Sequence, residues 1–315
     1  MYDEPGTPVG IPATMRAVLL RTPGGPNELV LEEIETPRPE AGEALVRVHA
    51  AAITRDELEW PTDRLPAIPS YELSGVVAAA ASDVEDVAVG DPVYALSGFD
   101  RDGAAADYVA LPASLLAPKP RTLDHIESAA TPLAALSAWQ GLFEHGRLEA
   151  GQRVLIHGAA GGVGHFATQL ARSRGAYVIG TASSGNVENA RSFGAHEVLD
   201  HTSAPFEQAL DPVDLVFDTF GGDLLERSPA VVRDGGRLVS IAEEPPESSE
   251  ARIDAVYFVV EPSLEQLVEL TRLVDSGDLR PAIDSVFALA DARAGFARSM
   301  AAGKRGKVVL RVVDD

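Results

Sequence analysis

The sequence predicts an α/β protein of two domains, a small β-rich one and a doubly wound parallel sheet. Three observations carry that prediction. Residues 15 to about 120 hold short apolar runs bounded by Pro, Gly and Asp, the pattern of a small barrel or sandwich. From about residue 125, short strands alternate with helical stretches, which places helices on both faces of a parallel sheet. Within that half, Val154 to Arg172 reads as a buried strand, a glycine turn and a helix start. A length of 315 residues is long for one core and suits two domains.

The elements follow in order. Residues 1–14 are acidic and rich in Pro and Gly, without the basic start and apolar run of a signal peptide, so they read as a flexible leader on a cytoplasmic protein. Residues 15–122 form the β-rich domain, with strands at Ala17–Leu20, Leu45–Ala51, Gly75–Ala80 and Pro92–Ala95. Residues 123–277 form the parallel-sheet domain. A long helix at Ile126–His145 leads into strands at Val154–His157, Tyr177–Ala182, Glu197–Asp200, Leu215–Asp218, Arg237–Ile241 and Tyr257–Val260. Helices at Gly164–Arg174, Asn186–Phe193, Asp223–Val232 and Ser263–Ser276 lie between or after them, and Gly175, Gly194 and Gly235 fall where helices stop. Residues 278–315 are β-rich again and are expected to rejoin the first domain.

Composition narrows the function. The net charge of −22 argues against nucleic acid and anionic membrane surfaces as partners. No apolar run approaches the ~20 residues of a membrane span. With no cysteine, disulfides, thiolate catalysis and Cys-ligated zinc are excluded. Lysine occurs only at 119, 304 and 307, and two of these flank Arg305 in one basic segment that suggests an anionic ligand.

The glycine turn says which anion. In Ala159-Ala160-Gly161-Gly162-Val163-Gly164 the glycines let backbone approach a pyrophosphate, and the N–H groups and dipole of the following helix hold its charge. An acid that selects NAD by binding the ribose 2′-OH is expected about 20 residues on. Ala182 stands there, followed by Ser183 and Ser184, so a 2′-phosphate meets hydroxyls and N–H groups instead of a carboxylate. This favours NADP over NAD. His201, Arg191 or the Lys304-Arg305 patch is left to supply positive charge.

Longer stretches carry a resemblance. Gly151-Gln152 with Leu155, the turn itself, and Gln169 with Arg172 resemble the signature of zinc-free quinone oxidoreductases, the zeta-crystallin-like branch of the medium-chain dehydrogenase/reductase superfamily. Val89-Gly90-Asp91 with Val93-Tyr94, Gly103 to Val109 (with Asp107 for the usual Glu), Pro132-Leu133-Ala134 with Ala138-Trp139-Gln140, and Arg305 to Leu310 are similar to further family segments. The resemblance covers about residues 15–315. It implies a GroES-like catalytic domain plus a Rossmann domain, NADPH as hydride donor, a quinone or α,β-unsaturated carbonyl as acceptor, and a homodimer, for which an exposed edge strand at Tyr257–Val260 would suit.

In the zinc-dependent branch the metal needs a Cys and a His. Thr54 stands near the first position and Tyr71 near the second, and neither is a usual zinc ligand. Without a Lewis acid the acceptor must already be electrophilic, as an enone or quinone is. Thr54, Asp56, Trp60 and Tyr71 are therefore the candidates for the acceptor pocket, with Tyr71 a possible hydrogen-bond or proton donor and Asp56 a possible loop anchor. Ala160 to Gly164, Ser137, Ser183, Ser184, His201, Phe220, Ile241, Phe258, Arg305 and Lys307 are the candidates for the cofactor. His157 reads as a satisfied core residue. Two other readings stay open: an enoyl-thioester reductase of the same fold, and a non-catalytic NADP(H)-binding protein that responds to redox state.

Overall fold

A hairpin of β1 (Thr14–Leu20) and β2 (Leu29–Glu35) opens the fold, and β1 buries five of its seven side chains, starting at Met15. The computed structural model describes residues 10–60, 63–203, 205–246 and 252–313. Most of the expected leader, residues 1–9, lies outside them, and Thr14 already belongs to β1.

The first domain is built around β3 (Glu43–Ile53), which pairs with β4 (Glu72–Ala80) and with β6 (Tyr108–Pro112). Beyond β4 lie β5 (Pro92–Leu96) and the short β7 (Ala117–Pro118). On the other side of β3 the end of the chain returns. Here β15 (Lys307–Arg311) runs antiparallel to β3, with Val308 opposite Ile53, and β14 (Ile283–Ala288) forms the edge beside it. Helix α7 (Ala292–Met300) makes the crossover that a parallel β14–β15 pair requires.

The second domain is a six-stranded parallel sheet in the order β10-β9-β8-β11-β12-β13. Its strands are β8 (Arg153–Ile156), β9 (Tyr177–Ala182), β10 (Glu197–Asp200), β11 (Val213–Asp218), β12 (Val232–Ser240) and β13 (Asp254–Tyr257). In chain order this is 3-2-1-4-5-6, so the order reverses between β8 and β11 and opens the ligand crevice there. Helices α3 (Gly164–Ser173), α4 (Val187–Ser192), α5 (Gly222–Arg227) and α6 (Leu264–Asp275) fill the connections and one flank. One apolar cluster runs through both domains, from Tyr71, Tyr94 and Leu96 to Leu136 and Phe217. The Tyr94 hydroxyl donates to the Leu267 carbonyl of α6 at 2.7 Å, a polar tie inside that cluster.

Three expected elements are corrected. The helix expected at Ile126–His145 is three pieces: α1 (His125–Ala129), α2 (Pro132–Trp139) and a wider π-type turn at Gln140–His145. Pro132 has no N–H to continue α1 and sits well at the first position of a new helix. The expected helix Asp223–Val232 ends at Arg227, because Pro229 falls in the following turn and Val232 already starts β12. The last strand is β13 at Asp254–Tyr257, not Tyr257–Val260. It is the sheet edge and mostly exposed, with Val256 half-buried, and the apolar run continues beyond its end, where Phe258 and Val260 turn into the core.

The return of β15 depends on Gly306. Its φ of +87° is a left-handed conformation, and a Cβ there would lie 2.0 Å from the Ala282 carbonyl oxygen. Gly306→Ala is expected to cost about 2–3 kcal/mol, read as a shift in the urea midpoint, from strain and a forced backbone shift together.

Candidate active site

The glycine turn between β8 and α3 has the shape of a cradle. A Cβ on Gly164 would lie 2.0 Å from the Gly158 carbonyl oxygen, and one on Gly161 would lie 3.1 Å from it. Only glycine lets the turn fold this tightly at Gly164, the first residue of α3, so the turn runs directly into a helix N-terminus. Ala160 is buried behind it and Val163 packs on the core beneath. The residues present therefore fit the pyrophosphate of a dinucleotide. His165, fully buried and held neutral by burial with its pKa near 4, ties the turn to the start of the C-terminal segment. Its Nδ1 contacts the Gly161 carbonyl at 2.8 Å, and its Nε2 accepts the Ala282 N–H at 3.1 Å.

The C-terminal segment closes on this turn from the other domain. The Gly306 N–H donates to the Ala160 carbonyl at 3.3 Å. The Lys307 stem passes so close that a Cβ on Gly162 would meet its Cδ at 3.4 Å. Its ammonium continues inward, to Glu72 at 2.5 Å and to the Thr54 hydroxyl, where it donates at 3.2 Å. Lys307 is 5% exposed and Glu72 fully buried, while Thr54 is half-buried. The other oxygen of Glu72 accepts the Leu133 N–H at the start of α2, at 2.9 Å. Lys307, expected among the cofactor ligands, thus spends its charge on Glu72 and Thr54.

The acid that turns inward is Glu57, not Asp56. Asp56 is exposed and faces Arg55 at 3.8 Å, so its expected place in the acceptor pocket is corrected. Glu57 starts a single tight turn, which directs its side chain inward. It is fully buried, and neither carboxylate oxygen has a hydrogen-bond partner at normal distance. Burial pushes its pKa up to about 8 against the attraction of Lys307. Lys307 pairs with Glu72, and the buried Glu57, with its pKa raised to about 8, keeps its proton at neutral pH.

Tyr71 is fully buried beneath Trp60 and Phe99, with ring centroids 5.6 and 5.4 Å away. Its hydroxyl accepts a hydrogen bond from Arg64 Nη2 at 2.8 Å, and burial raises its pKa to about 12. The preceding Ser70 has a φ of +69°, an uncommon conformation for a side-chain-bearing residue, and this bend begins β4. The donor set does not suit zinc. Thr54 Oγ1 already takes a bond from a cation, and among the described residues no group of three His, Cys, Asp or Glu side chains comes together.

At the far end of the crevice, the loop after β9 meets the basic segment. Arg305 is exposed and donates to Asn186 Oδ1 at 3.1 Å and to the Gly185 carbonyl at 3.2 Å. The Lys304 carbonyl accepts from Asn186 Nδ2 at 3.4 Å, and burial with neighbouring cations lowers the Lys304 pKa to about 8. Ser183 is half-buried beside this contact, whereas the Ser184 hydroxyl is engaged by Asp200 at 2.6 Å. His201 and the exposed Phe220 face one another at the ends of β10 and β11, 6.3 Å between centroids. Arg191 pairs with Glu188 on α4 instead.

Other candidates are spent in packing. Ser137 is buried and gives its proton to the Leu133 carbonyl of its own helix at 2.7 Å, so it is no donor to a ligand. Phe258 stacks on His145 at 4.3 Å inside the core, which corrects its expected ligand role. Ile241 is partly buried, with its N–H on the Asp218 carbonyl at 3.1 Å. His157 is fully buried between Thr181 and Ser228, and burial pushes its pKa down to about 3, in keeping with a core role. Sequence reasoning missed Glu57, Arg64, Asp200 and the role of Glu72. The one available signal was an acid beginning an otherwise apolar strand, as Glu72 does.

Comparison with known proteins agrees with this architecture. Residues 40–121 match the model of the alcohol dehydrogenase GroES-like domain, and residues 193–310 match that of the zinc-binding dehydrogenases. The chain is 34% identical to a probable zinc-binding oxidoreductase of Arthroderma benhamiae, over 96% of this chain and 98% of that protein. It is 32% identical to an NADPH-dependent alkenal/one oxidoreductase of Arabidopsis thaliana, over 87% of this chain and 73% of that protein. The quinone oxidoreductase structure from Coxiella burnetii superposes with a TM-score of 0.88 at 30% identity, covering 95% of this chain and all of that one. With a glycine turn that fits a dinucleotide, a buried Lys307–Glu72 ion pair against Thr54, and relatives that match nearly end to end, the chain belongs to the quinone oxidoreductase branch of the medium-chain dehydrogenase/reductase superfamily and is an NAD(P)-dependent oxidoreductase.

Proposed function

We propose that the protein is an NADPH-dependent, zinc-independent reductase that transfers hydride to a quinone or an α,β-unsaturated carbonyl. The observation that carries this reading is the ion pair of Lys307 with Glu72, which sets an ammonium behind the Thr54 hydroxyl. Bound NADPH would supply the hydride, with its pyrophosphate on the Gly161–Gly164 turn. Thr54 accepts from Lys307 and so keeps its own proton to donate toward an acceptor oxygen as negative charge develops there. Glu72 fixes the ammonium, and the Leu133 N–H fixes Glu72. Tyr71 holds its proton across the working range, because its pKa is near 12, and Arg64 fills its acceptor side. Trp60 and Phe99 make that wall apolar, which suits a flat, weakly polar acceptor. At the adenosine end, Arg305 is the group placed to meet a 2′-phosphate, and this supports NADPH. The exposed edge strand β13 supports a homodimer formed through it.

The direct test follows NADPH consumption by its near-ultraviolet absorbance, with a 1,4-quinone and with a medium-chain enal, and NADH beside it. Turnover faster with NADPH is the expected result. No consumption by protein shown to bind NADPH overturns the reading. Thr54→Val should lower kcat about 10- to 100-fold with little change in the KM for NADPH, the signature of a donor used in the transition state. Arg305→Ala should weaken NADPH binding about tenfold and NADH binding much less, as titration calorimetry would show. Glu57 gives a stability prediction. Its pKa is raised on folding, so stability is fully present below the ordinary carboxylate pKa and is lost as pH rises through about 8. Glu57→Gln should therefore lose less Tm than the parent between pH 5 and pH 9, by roughly 5 °C.

A further inference from the structure

Asp200 ends β10 opposite Ala182, the last residue of β9, in the parallel register. It thus stands one strand away from the position where Rossmann domains place the acid that selects NAD. Its carboxylate is exposed but fixed in place. Ser184 Oγ donates to Oδ2 at 2.6 Å, Ser203 Oγ to the same oxygen at 2.8 Å, and Thr202 donates to Oδ1 from its N–H at 2.9 Å and its hydroxyl at 2.5 Å. These donors hold its pKa far below the usual carboxylate range, so its charge persists at any working pH. A serine hydroxyl has one proton, and that of Ser184 goes to Asp200, so it is withdrawn from a 2′-phosphate. On the other side of the same loop stands Arg305, with two of its five N–H groups on Gly185 and Asn186. A fixed anion, held through Ser184, and a fixed cation, held through Gly185 and Asn186, thus meet the loop after β9 at neighbouring residues.

Resting on the cofactor reading above, we infer that Asp200 is a specificity-determining residue that opposes Arg305: it repels the 2′-phosphate of NADPH and keeps the site open to NADH. The carboxylate has no such quarrel with the 2′-OH of NADH, to which it is a potential acceptor. The enzyme is a dual-nucleotide reductase whose preference is the difference between these two charges.

The test is titration calorimetry of NADPH and NADH into the whole protein, parent and Asp200→Asn, with far-ultraviolet circular dichroism as a fold check. Removing one charge near a phosphate at the surface should raise NADPH affinity relative to NADH about three- to tenfold. A ratio unchanged within a factor of two, or one shifted toward NADH, overturns the inference. If Asp200→Asn does not fold, Asp200→Ser keeps a hydroxyl in the Ser184–Ser203 turn and is read the same way. The two readings fail differently: a parent protein that binds neither nucleotide defeats the cofactor reading, whereas one that binds both with a ratio indifferent to Asp200 defeats only this inference.

Discussion

Everything at the centre of this molecule depends on the buried contact between Lys307 and Glu72. It joins the last strand of the chain to the fourth, and through Leu133 to the first long helix of the other domain. A buried ion pair is weak evidence for stability, because stripping water from two charges offsets most of their attraction. Its value here is positional. The lysine stem runs beside the glycine turn and its head reaches the Thr54 hydroxyl, so one side chain links the proposed cofactor cradle to the proposed acceptor pocket. Glu57 is the companion cost: a second carboxylate enclosed in the same space with no cation of its own.

The parallel-sheet half was legible from apolar runs between glycines, which mark Tyr177–Ala182, buried along almost its whole length, and the half-buried edge strand Glu197–Asp200. The failures have separate causes. The apolar run Ala255 to Val260 continues past the end of β13, so it did not mark where the strand stops. The broken helix before β8 was masked by an apolar stretch that continues across Pro132, where the backbone and not the side-chain pattern sets the boundary.

The site was legible where backbone geometry dictates sequence and illegible where distant side chains meet. Glycines at 161, 162 and 164 announce a cradle, and at Gly164 the close approach of the Gly158 carbonyl forbids a Cβ. Nothing local says that Lys307, 235 positions along the chain, will find Glu72, or that Asp200 will take the hydroxyl of Ser184. Choosing Asp56 over Glu57 was an error of one residue with a large consequence, since adjacent positions in a tight turn point one toward solvent and the other into the core.

The confinement of two of the three lysines to the segment beside the crevice has a kinetic consequence. A protein of net charge −22 repels a polyanionic nucleotide at long range, and the attractive groups act only after encounter. Added salt shortens the reach of that repulsion, with a Debye length of about 10 Å at 0.1 M, while leaving partly buried contacts less affected. Capture of the nucleotide should then quicken with ionic strength over the range where its retention weakens, the reverse of the behaviour of a basic protein that draws its ligand in from a distance.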